Sequence, residues 1–479
     1  ALPDLHDAVA GASLGDAEEW VIEDTYYDTP DLRLARWGCT LRHRSDDGWT
    51  VKIPRPSKGI VLDREEVAFG GDPGVPPAKA LTLVSSLTRG VEVEQVARLR
   101  TRRVVRRWLA EDGTAIAELA DDEVCGSRPD GDDVTFREIE AELAHDADGG
   151  LLDEVVERLT AAKGSAERPI PKLVRVLGPA AMQPPDVIVN PLPSKPSAKQ
   201  VIQSAFASSV AQLLLQLPAA RLGRDPEGVH QARVACRRMR SDLKTFEPLL
   251  DAEWSADLEA ELRWLIDELG AVRDSDILGA KLGDVITRHP EIDPDAAGRV
   301  RHEIVLERRR DRRRLLRHLS DKRAMRLFDH LVAASAEPMT VSRADRPAGK
   351  VMPKLVRKRW KRLDRAIERL GRNPTPAELH AVRILAKRLR YATEAVAPAV
   401  GKQARKFAKD AARIQDALGE LNDAAVAGAR LTAVAERLDS PAAFAGGQMT
   451  QQVRVDARTQ DRQWRAAHES MRKRTAWFL

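Results

Sequence analysis

Carboxylates two residues apart on an extended chain point the same way, and two such groups can share a hard cation such as Mg²⁺. Glu138 and Glu140, in the run FREIEAEL over 136–143, have that spacing. Cations recur at the same interval: Arg42 and Arg44 in LRHR, then Lys52 two residues after Thr50 in WTVK. Arg64 and Glu66, Arg103 (or Arg102), Glu118 and Asp122, and Glu142 extend the pattern. Arg and Lys donors suit phosphate oxygens. If the apolar residues of each strand face covering helices, the charged ones meet inside the sheet. Unpaired buried charge is prohibitive, so a sheet closed on such a lining would be wet and would hold a ligand. The solvated face of a half-exposed sheet shows the same alternation, and alternation alone does not separate the two.

A second pattern lies on helices. At about 100° per residue, His230, Arg233, Arg237, Arg240 and Lys244 fall within roughly an 80° arc. His380, Arg383, Lys387 and Arg390 repeat the stripe, with Glu394 in place of the lysine. Cations so aligned repel one another unless an anion lies among them. Further stripes run through Lys354, Lys358, Lys361 and Arg365, and through Lys402, Arg405, Lys406, Lys409 and Arg413. Neither stripe histidine has a second histidine at i+3 or i+4, which disfavours a metal role. A solvated face neutralised by local Asp and Glu is the plain alternative for a single stripe, but less so for a duplicated one. The charges of the Arg-rich run 308–317 go all round its helix, as on a solvated surface.

These side chains need two kinds of scaffold. Period-2 runs at 40–44, 49–53 and 136–143, separated by Ser45-Asp46-Asp47-Gly48 and Glu111-Asp112-Gly113, predict antiparallel strands, with helices near 78–87 and 151–162. Six prolines between Pro179 and Pro196 mark a semi-rigid linker. Beyond it the text is helical, with breaks expected near Pro218, Pro248, Pro290, Pro338, Gly371 and Pro441. The segment Val229–Arg240 matches Leu379–Arg390 at an offset of 150 residues, and Leu269–Asp274 echoes Leu418–Asp423. A duplicated unit of about four helices follows. Residues 1–195 hold 24 Lys/Arg against 36 Asp/Glu, and residues 196–479 hold 54 against 37. The halves therefore differ in electrostatic task, and the basic one should seek a polyanion. Cys39, Cys125 and Cys236 lie far apart, which excludes a disulfide framework, and no Cys/His cluster suggests zinc. No uninterrupted apolar run approaches the roughly 20 residues of a membrane span. Ala1 is followed by no signal-like apolar core, and the expectation is a truncated start to a cytoplasmic protein.

The order YYDTPDLRL (26–34), LRHR, WTVK, Arg64-Glu65-Glu66 and FREIEAEL resembles the CYTH domain of the triphosphate tunnel metalloenzymes, over about 1–178. The resemblance implies an eight-stranded antiparallel triphosphate-tunnel β-barrel working with Mg²⁺ or Mn²⁺. Carried over by motif, Arg42, Arg44, Lys52, Arg103 and Lys172 would grip phosphates. Glu66, Asp122, Glu138 and Glu140 would hold metal, with Glu138 and Glu140 catalytic. The family opens with a strand carrying ExExK, and this sequence is expected to lack it.

The repeat, HxxRxxxRRxR with LGxxRD and LHxxRxxxKRLRY with LGELND, resembles the CHAD domain over about 199–479. That family implies two pseudo-twofold-related four-helix bundles, here about 199–341 and 342–479, and binding of inorganic polyphosphate by basic surface residues. The expected chain is an α+β domain at 1–178, a linker at 179–198 and an all-α domain. The polymer would lie on His230, Arg233, Arg237, Arg240, Lys244, His380, Arg383, Lys387 and Arg390, with Lys354, Lys358, Lys361, Lys402, Lys406 and Lys409. Aromatic residues are only 4% and do not interleave with the stripes, which disfavours single-stranded nucleic acid. Two readings remain open. One is a cytoplasmic polyphosphate binder, granule-associated or free, whose tunnel binds or hydrolyses a small triphosphate or a chain end. The other is a non-enzymatic polyanion scaffold, on polyphosphate granules or nucleic acid.

Overall fold

The computed structural model describes residues 2–54, 64–129, 131–144, 149–162, 164, 170–371, 374–456, 461–476 and 478. The chain divides into two units, Ala1–Asp186 and Val187–Leu479.

The first unit is an antiparallel sheet of eight strands, as its alternation leads one to expect. They are β1 (Ser13–Leu14), β2 (Glu18–Asp28), β3 (Thr40–Arg44), β4 (Gly48–Pro54), β5 (Arg64–Phe69), β6 (Glu94–Leu109), β7 (Ala115–Ser127) and β8 (Val134–Leu143). The order is β5-β4-β3-β2-β6-β7-β8, and β1 prolongs the β2 edge of β6, with Leu14 opposite Trp108. Cross-strand register sets which charges meet: Arg44 lies opposite Asp24, Lys52 opposite Glu66, Arg103 opposite Asp122, and Asp122 opposite Glu138.

Four helices accompany the sheet: α1 (Arg33–Arg36), α2 (Ala78–Thr88), α3 (Asp153–Ala161) and α4 (Lys172–Leu177). The YYDTPDL run has a structural task. The buried Asp28 carboxylate accepts from the Thr29, Leu34 and Ala35 amides at 2.7–2.9 Å and so organises α1. Burial pushes this group up to about 6 despite those bonds. Helix α4 buries Leu173, Val176 and Leu177 against Tyr26, Ala97, Leu99 and Val124. The start of the predicted linker docks here too: Trp37 Nε1 donates to Asp186 at 2.9 Å and Arg36 to the Pro184 carbonyl.

The second unit is helical: α5 (Ala198–Leu222), α6 (Pro226–Phe246), α7 (Ala252–Arg288), α8 (Pro294–Leu319), α9 (Lys322–Ala336), α10 (Ala348–Glu368), α11 (Pro376–Val400), α12 (Lys402–Ala435), α13 (Ser440–Asp456) and α14 (Asp461–Arg472). The first three helices of each repeat start 150 residues apart, at 198 and 348, 226 and 376, 252 and 402. Each repeat is four helices plus a fifth, shorter one (α9, α14) that folds back on the repeat. Caps fix the starts: Ser197 with Gln200 and Thr375 with Glu378 form capping boxes, and Asp225 and Asp251 accept from Glu227 and Trp254 amides. Contrary to the expected break at Pro218, α5 runs past it to Gly223, whose φ of 61° ends the helix. Having no N–H, Pro218 leaves the Leu214 carbonyl without its usual intrahelical donor, and the helix nonetheless continues for one more turn.

A pseudo-twofold axis relates the repeats. Ser197 and Pro347, 150 residues apart, form an antiparallel bridge with each other. Around it the Ala198 amide donates to the Arg346 carbonyl and the Ala348 amide to the Pro196 carbonyl, both at 2.9 Å. Contacts exchange likewise, with α7 on α13 and α12 on α8. Helix α5 is long and apolar enough to cross a membrane, yet Ile202, Phe206, Val210, Leu214 and Leu217 are buried inside this unit.

Gly126 on β7 lets α4 dock, because a Cβ there would lie 2.2 Å from Val176 Cγ2. Gly126→Ala should cost about 1–3 kcal/mol by overpacking, and Val176→Ala in the same chain should restore part of it. Calorimetric melts of the full chain check this; equal melting temperatures for the glycine and alanine forms would refute the tight fit.

Candidate functional site

The strand unit encloses a cavity of about 1090 Å³. Arg42, Arg44, Lys52, Arg64, Glu66, Arg103, Asp122, Glu138, Glu140, Glu142 and Lys172 all line it, so the charged alternation does converge. Arg103 is the inward residue, while Arg102 stays exposed between Glu19 and Glu123. Glu118 is not part of the lining and pairs with Arg107 at 2.9 Å.

The lining separates into two groups. On β2–β5, Asp24 holds Arg44 at 2.9 Å and Arg42 at 3.4 Å, while Lys52 meets Glu66 at 2.5 Å. Arg42 is buried and its Nε has no hydrogen-bond partner among the described residues. Burial, then Arg42, push Lys52 below the usual lysine range against the pull of Glu66. Asp24 was missed from sequence, although it lies two residues before Tyr26 on the same strand face; reading β2 by the same alternation would have found it.

On β7 and β8, the oxygens of Asp122, Glu138 and Glu140 lie within 4.8 Å of one another. All-oxygen carboxylate donors at that spacing fit Mg²⁺ or Mn²⁺. Glu66 does not join them; it stays on β5 with Lys52. Cations already engage the three. Arg103 reaches Asp122 at 2.6 Å and Glu140 at 2.9 Å. Lys172 Nζ reaches Asp122 and Glu138 at 2.8 Å and Glu140 at 2.9 Å. Burial raises Asp122, but hydrogen bonds from Arg103 and Lys172 outweigh it and hold the carboxyl below the usual range. Burial lowers Lys172, and the three carboxylates outweigh it and raise the ammonium.

In the helical unit α6 packs on α11, which brings the two stripes together at the pseudo-twofold axis. Gly270 leaves room for Arg233, since a Cβ there would stand 3.3 Å from its Nε; at Gly419 a Cβ would stand 3.8 Å from Arg383 Nε, an ordinary contact. The side chains of 420–425, including Asn422 and Asp423, lie outside the described residues. Lys387 sits at the heart of the seam. Burial, then the guanidinium groups of Arg237, Arg383, Arg233 and Arg240, push it down to about 6. His230 is lowered by burial, then by Arg273. Arg273 thus belongs to the cluster; the sequence reading had quoted it only as a letter of the LG motif.

Other stripe members are partly neutralised. Arg240 and Lys244 share the carboxylate of Glu259 at 3.2 and 2.5 Å. Arg390 meets Glu394 at 2.8 Å, and Glu394 also pairs with Arg238. His380 is exposed. Lys354, Lys358 and Lys361 form an exposed face of α10, and Lys402, Lys406 and Lys409 one of α12. The equivalents of the α10 lysines, 150 residues earlier, are Ser204, Ser208 and Ala211, and those of the α12 lysines, in the 149-residue register of the LG echo, are Glu253, Asp257 and Ala260, so this extra charge belongs to the second repeat alone. The Arg-rich run is in good part structural: Arg308 pairs with Asp276, Arg314 with Glu268, and Arg312 caps the last carbonyls of α5.

The CYTH domain family matches residues 3–172 and the CHAD domain family residues 204–432. Two Mycobacterium tuberculosis proteins, Rv2226 of strain H37Rv and MT2285 of strain CDC 1551, are 32% identical over 431 residues, 85% of this chain and 80% of each relative. Among solved structures, PptA from Streptomyces chartreusis is 21% identical with a TM-score of 0.48, covering 57% of this chain and 99% of its own. The CHAD domain from the plant Ricinus communis is 24% identical with a TM-score of 0.48, covering 60% and 95%.

Asp122 makes its two ion pairs only while ionised. Its lowered pKa contributes stability above the ordinary aspartate value of 3.8, lost as pH falls through the lower folded value. Asp122→Asn should destabilise the chain by about 1–3 kcal/mol at neutral pH. It should also flatten the decline of melting temperature below about pH 4. Melts across that range test it; equal acid slopes in both proteins would sink the assignment.

Proposed function

The chain belongs to the family in which a CYTH domain precedes a CHAD domain, and on that premise we propose that its helical unit binds inorganic polyphosphate while its strand unit binds and hydrolyses a triphosphate or a chain end. CYTH domains are generally metal-dependent, and the two domain types are typically associated with triphosphate or polyphosphate. The observation that carries the first half is Lys387, a half-buried lysine ringed by four arginines. A phosphate chain with about one charge per unit would relieve that repulsion. Arg233, Arg237, Arg240, Arg383, Lys387 and Arg390 would bind it, with His230 and Arg273 at one side. The exposed lysines of α10 and α12 would add long-range attraction.

For the strand unit, Arg42, Arg44 and Lys52 would bind and orient the phosphates, and Arg103 would neutralise charge beside the carboxylates. Asp122, Glu138 and Glu140 would hold Mg²⁺ or Mn²⁺, which when bound supplies charge neutralisation and an activated water. A binding-only scaffold is favoured by one observation, the complete ion pairing of those carboxylates by Arg103 and Lys172. Phosphate release from tripolyphosphate with Mg²⁺ or Mn²⁺ separates the two, and Glu138→Gln or Glu140→Gln should abolish it. We place the protein in the cytoplasm, with polyphosphate as partner in preference to nucleic acid.

Long-chain polyphosphate should bind without metal, and affinity should fall roughly a hundredfold as salt rises from about 50 to 200 mM. Replacing Arg233, Arg237 and Arg240 by Ala together, or Arg383, Lys387 and Arg390, should weaken binding about tenfold or more with helix content kept. Salt-independent binding, or unfolding of both triple variants, would overturn the reading.

A pH dependence follows from Lys387. Its folded value near 6 lies below the ordinary 10.5, and a bound anion raises it, so binding takes up a proton between those limits. Affinity should therefore rise as pH falls from 8 toward 6, by up to about tenfold per unit, and level off below. Lys387→Met should leave only the part of the slope near pH 6 that His230, also lowered, contributes, read by titration at fixed ionic strength.

A further inference from the structure

Resting on the reading of the cavity as a metal-dependent triphosphate site, we propose that Lys172 and the divalent cation compete for the same three carboxylates. The metal frees the ammonium, and the phosphate chain receives it. Lys172 Nζ takes Asp122 Oδ2, Glu138 Oε1 and Glu140 Oε1 at 2.8, 2.8 and 2.9 Å, one contact for each of its three donors. A cation bonded to those oxygens at about 2.1 Å would stand almost where the ammonium stands. Two positive charges cannot share that place.

Of the two cations on the triad, Lys172 is the one built to leave. Arg103 is held to Asp122 by a fork of two bonds, Nε at 2.8 Å and Nη2 at 2.6 Å. Lys172 is a point charge on a four-carbon stem, and a swing of that stem needs no backbone movement. Its backbone is fixed because α4 is anchored by Leu173, Val176 and Leu177. The released ammonium stays within the same cavity as Arg42, Arg44 and Lys52, where phosphates would lie. Metal and phosphate chain then favour each other, since each improves the place the other needs.

The test is Mn²⁺ affinity of the full chain without phosphate, read from free Mn²⁺ by electron paramagnetic resonance. Lys172→Met should bind Mn²⁺ at least about tenfold more tightly than the unchanged chain, equivalent to one charged hydrogen bond no longer displaced. Arg107→Met removes a cation from the same strand as Arg103 but off the triad, and should change the affinity far less. Adding Asp122→Asn to Lys172→Met should abolish the gain, which locates the ion. Should Lys172→Met fail to fold, Lys172→Gln replaces it. Equal or weaker Mn²⁺ binding by the folded Lys172 variant overturns the competition, as does an equal gain from Arg107→Met. If no variant binds Mn²⁺, the metal-dependent reading falls with it. Tight binding that Lys172 does not affect leaves that reading standing and removes only this inference.

Discussion

A charge taken out of water has to be met by an opposite charge, and the two units of this chain meet that condition in different ways. In the strand unit nearly every inward cation has a carboxylate at ion-pair distance: Arg42 and Arg44 with Asp24, Lys52 with Glu66, Arg103 and Lys172 with the triad. The cavity is internally balanced, and a ligand entering it must exchange partners. In the helical unit the condition is met unevenly at the seam: Arg233, Arg240 and Arg390 reach Asp274, Glu259 and Glu394, while the charges that shift Lys387 are all guanidinium groups. Lys387 faces arginines, and its own proton becomes the cheapest charge to give up. One unit is organised for exchange between charges and the other for capture of charge.

The seam depends on the duplication. The bridge between Ser197 and Pro347 lies on the pseudo-twofold axis, and the matched starts of α5 and α10, α6 and α11, α7 and α12 carry that symmetry outward. Because α6 and α11 are equivalent helices packed on each other, a stripe on one necessarily faces its copy. Gly270 eases the approach by leaving room for Arg233. Divergence has acted on the periphery. Glu259 neutralises Arg240 and Lys244 in the first repeat, while its counterpart in the register of the LG echo is Ala408.

Much of this was legible in the sequence, because alternation and helical spacing record which face a side chain is on. The strand lining, the repeat offset and the stripes all follow from periodicity. What periodicity does not record is partner choice. Arg103 and Arg102 were equivalent candidates until the register put Arg103 opposite Asp122 and left Arg102 outside with Glu19. Glu66 resembled the other metal-ligand candidates, yet its cross-strand neighbour is Lys52. Lys172 was read as a phosphate contact and is found on carboxylates, because α4 docks on β6 and β7 through residues that no strand pattern includes. Arg273 is hidden for the same reason, since it matters through His230, distant in sequence, whereas Asp24 lies within reach of the alternation on β2.

The symmetry of the seam also bears on what it can hold. A nucleic-acid strand has a direction and carries bases, so a site that reads it needs an ordered set of contacts and stacking surfaces. A linear phosphate chain has neither; its two directions are chemically the same. A row of cations generated by a pseudo-twofold axis likewise offers nearly the same sequence of charges from either end. On the proposed reading, ligand and site would match in symmetry as well as in charge, and either orientation of the chain could enter without any added contact. The match is broken at Lys244, whose counterpart is Glu394, and by the lysines of α10 and α12. Those side chains lie on exposed faces, where they would act on a polyanion through long-range attraction and leave the order of contacts at the axis unchanged.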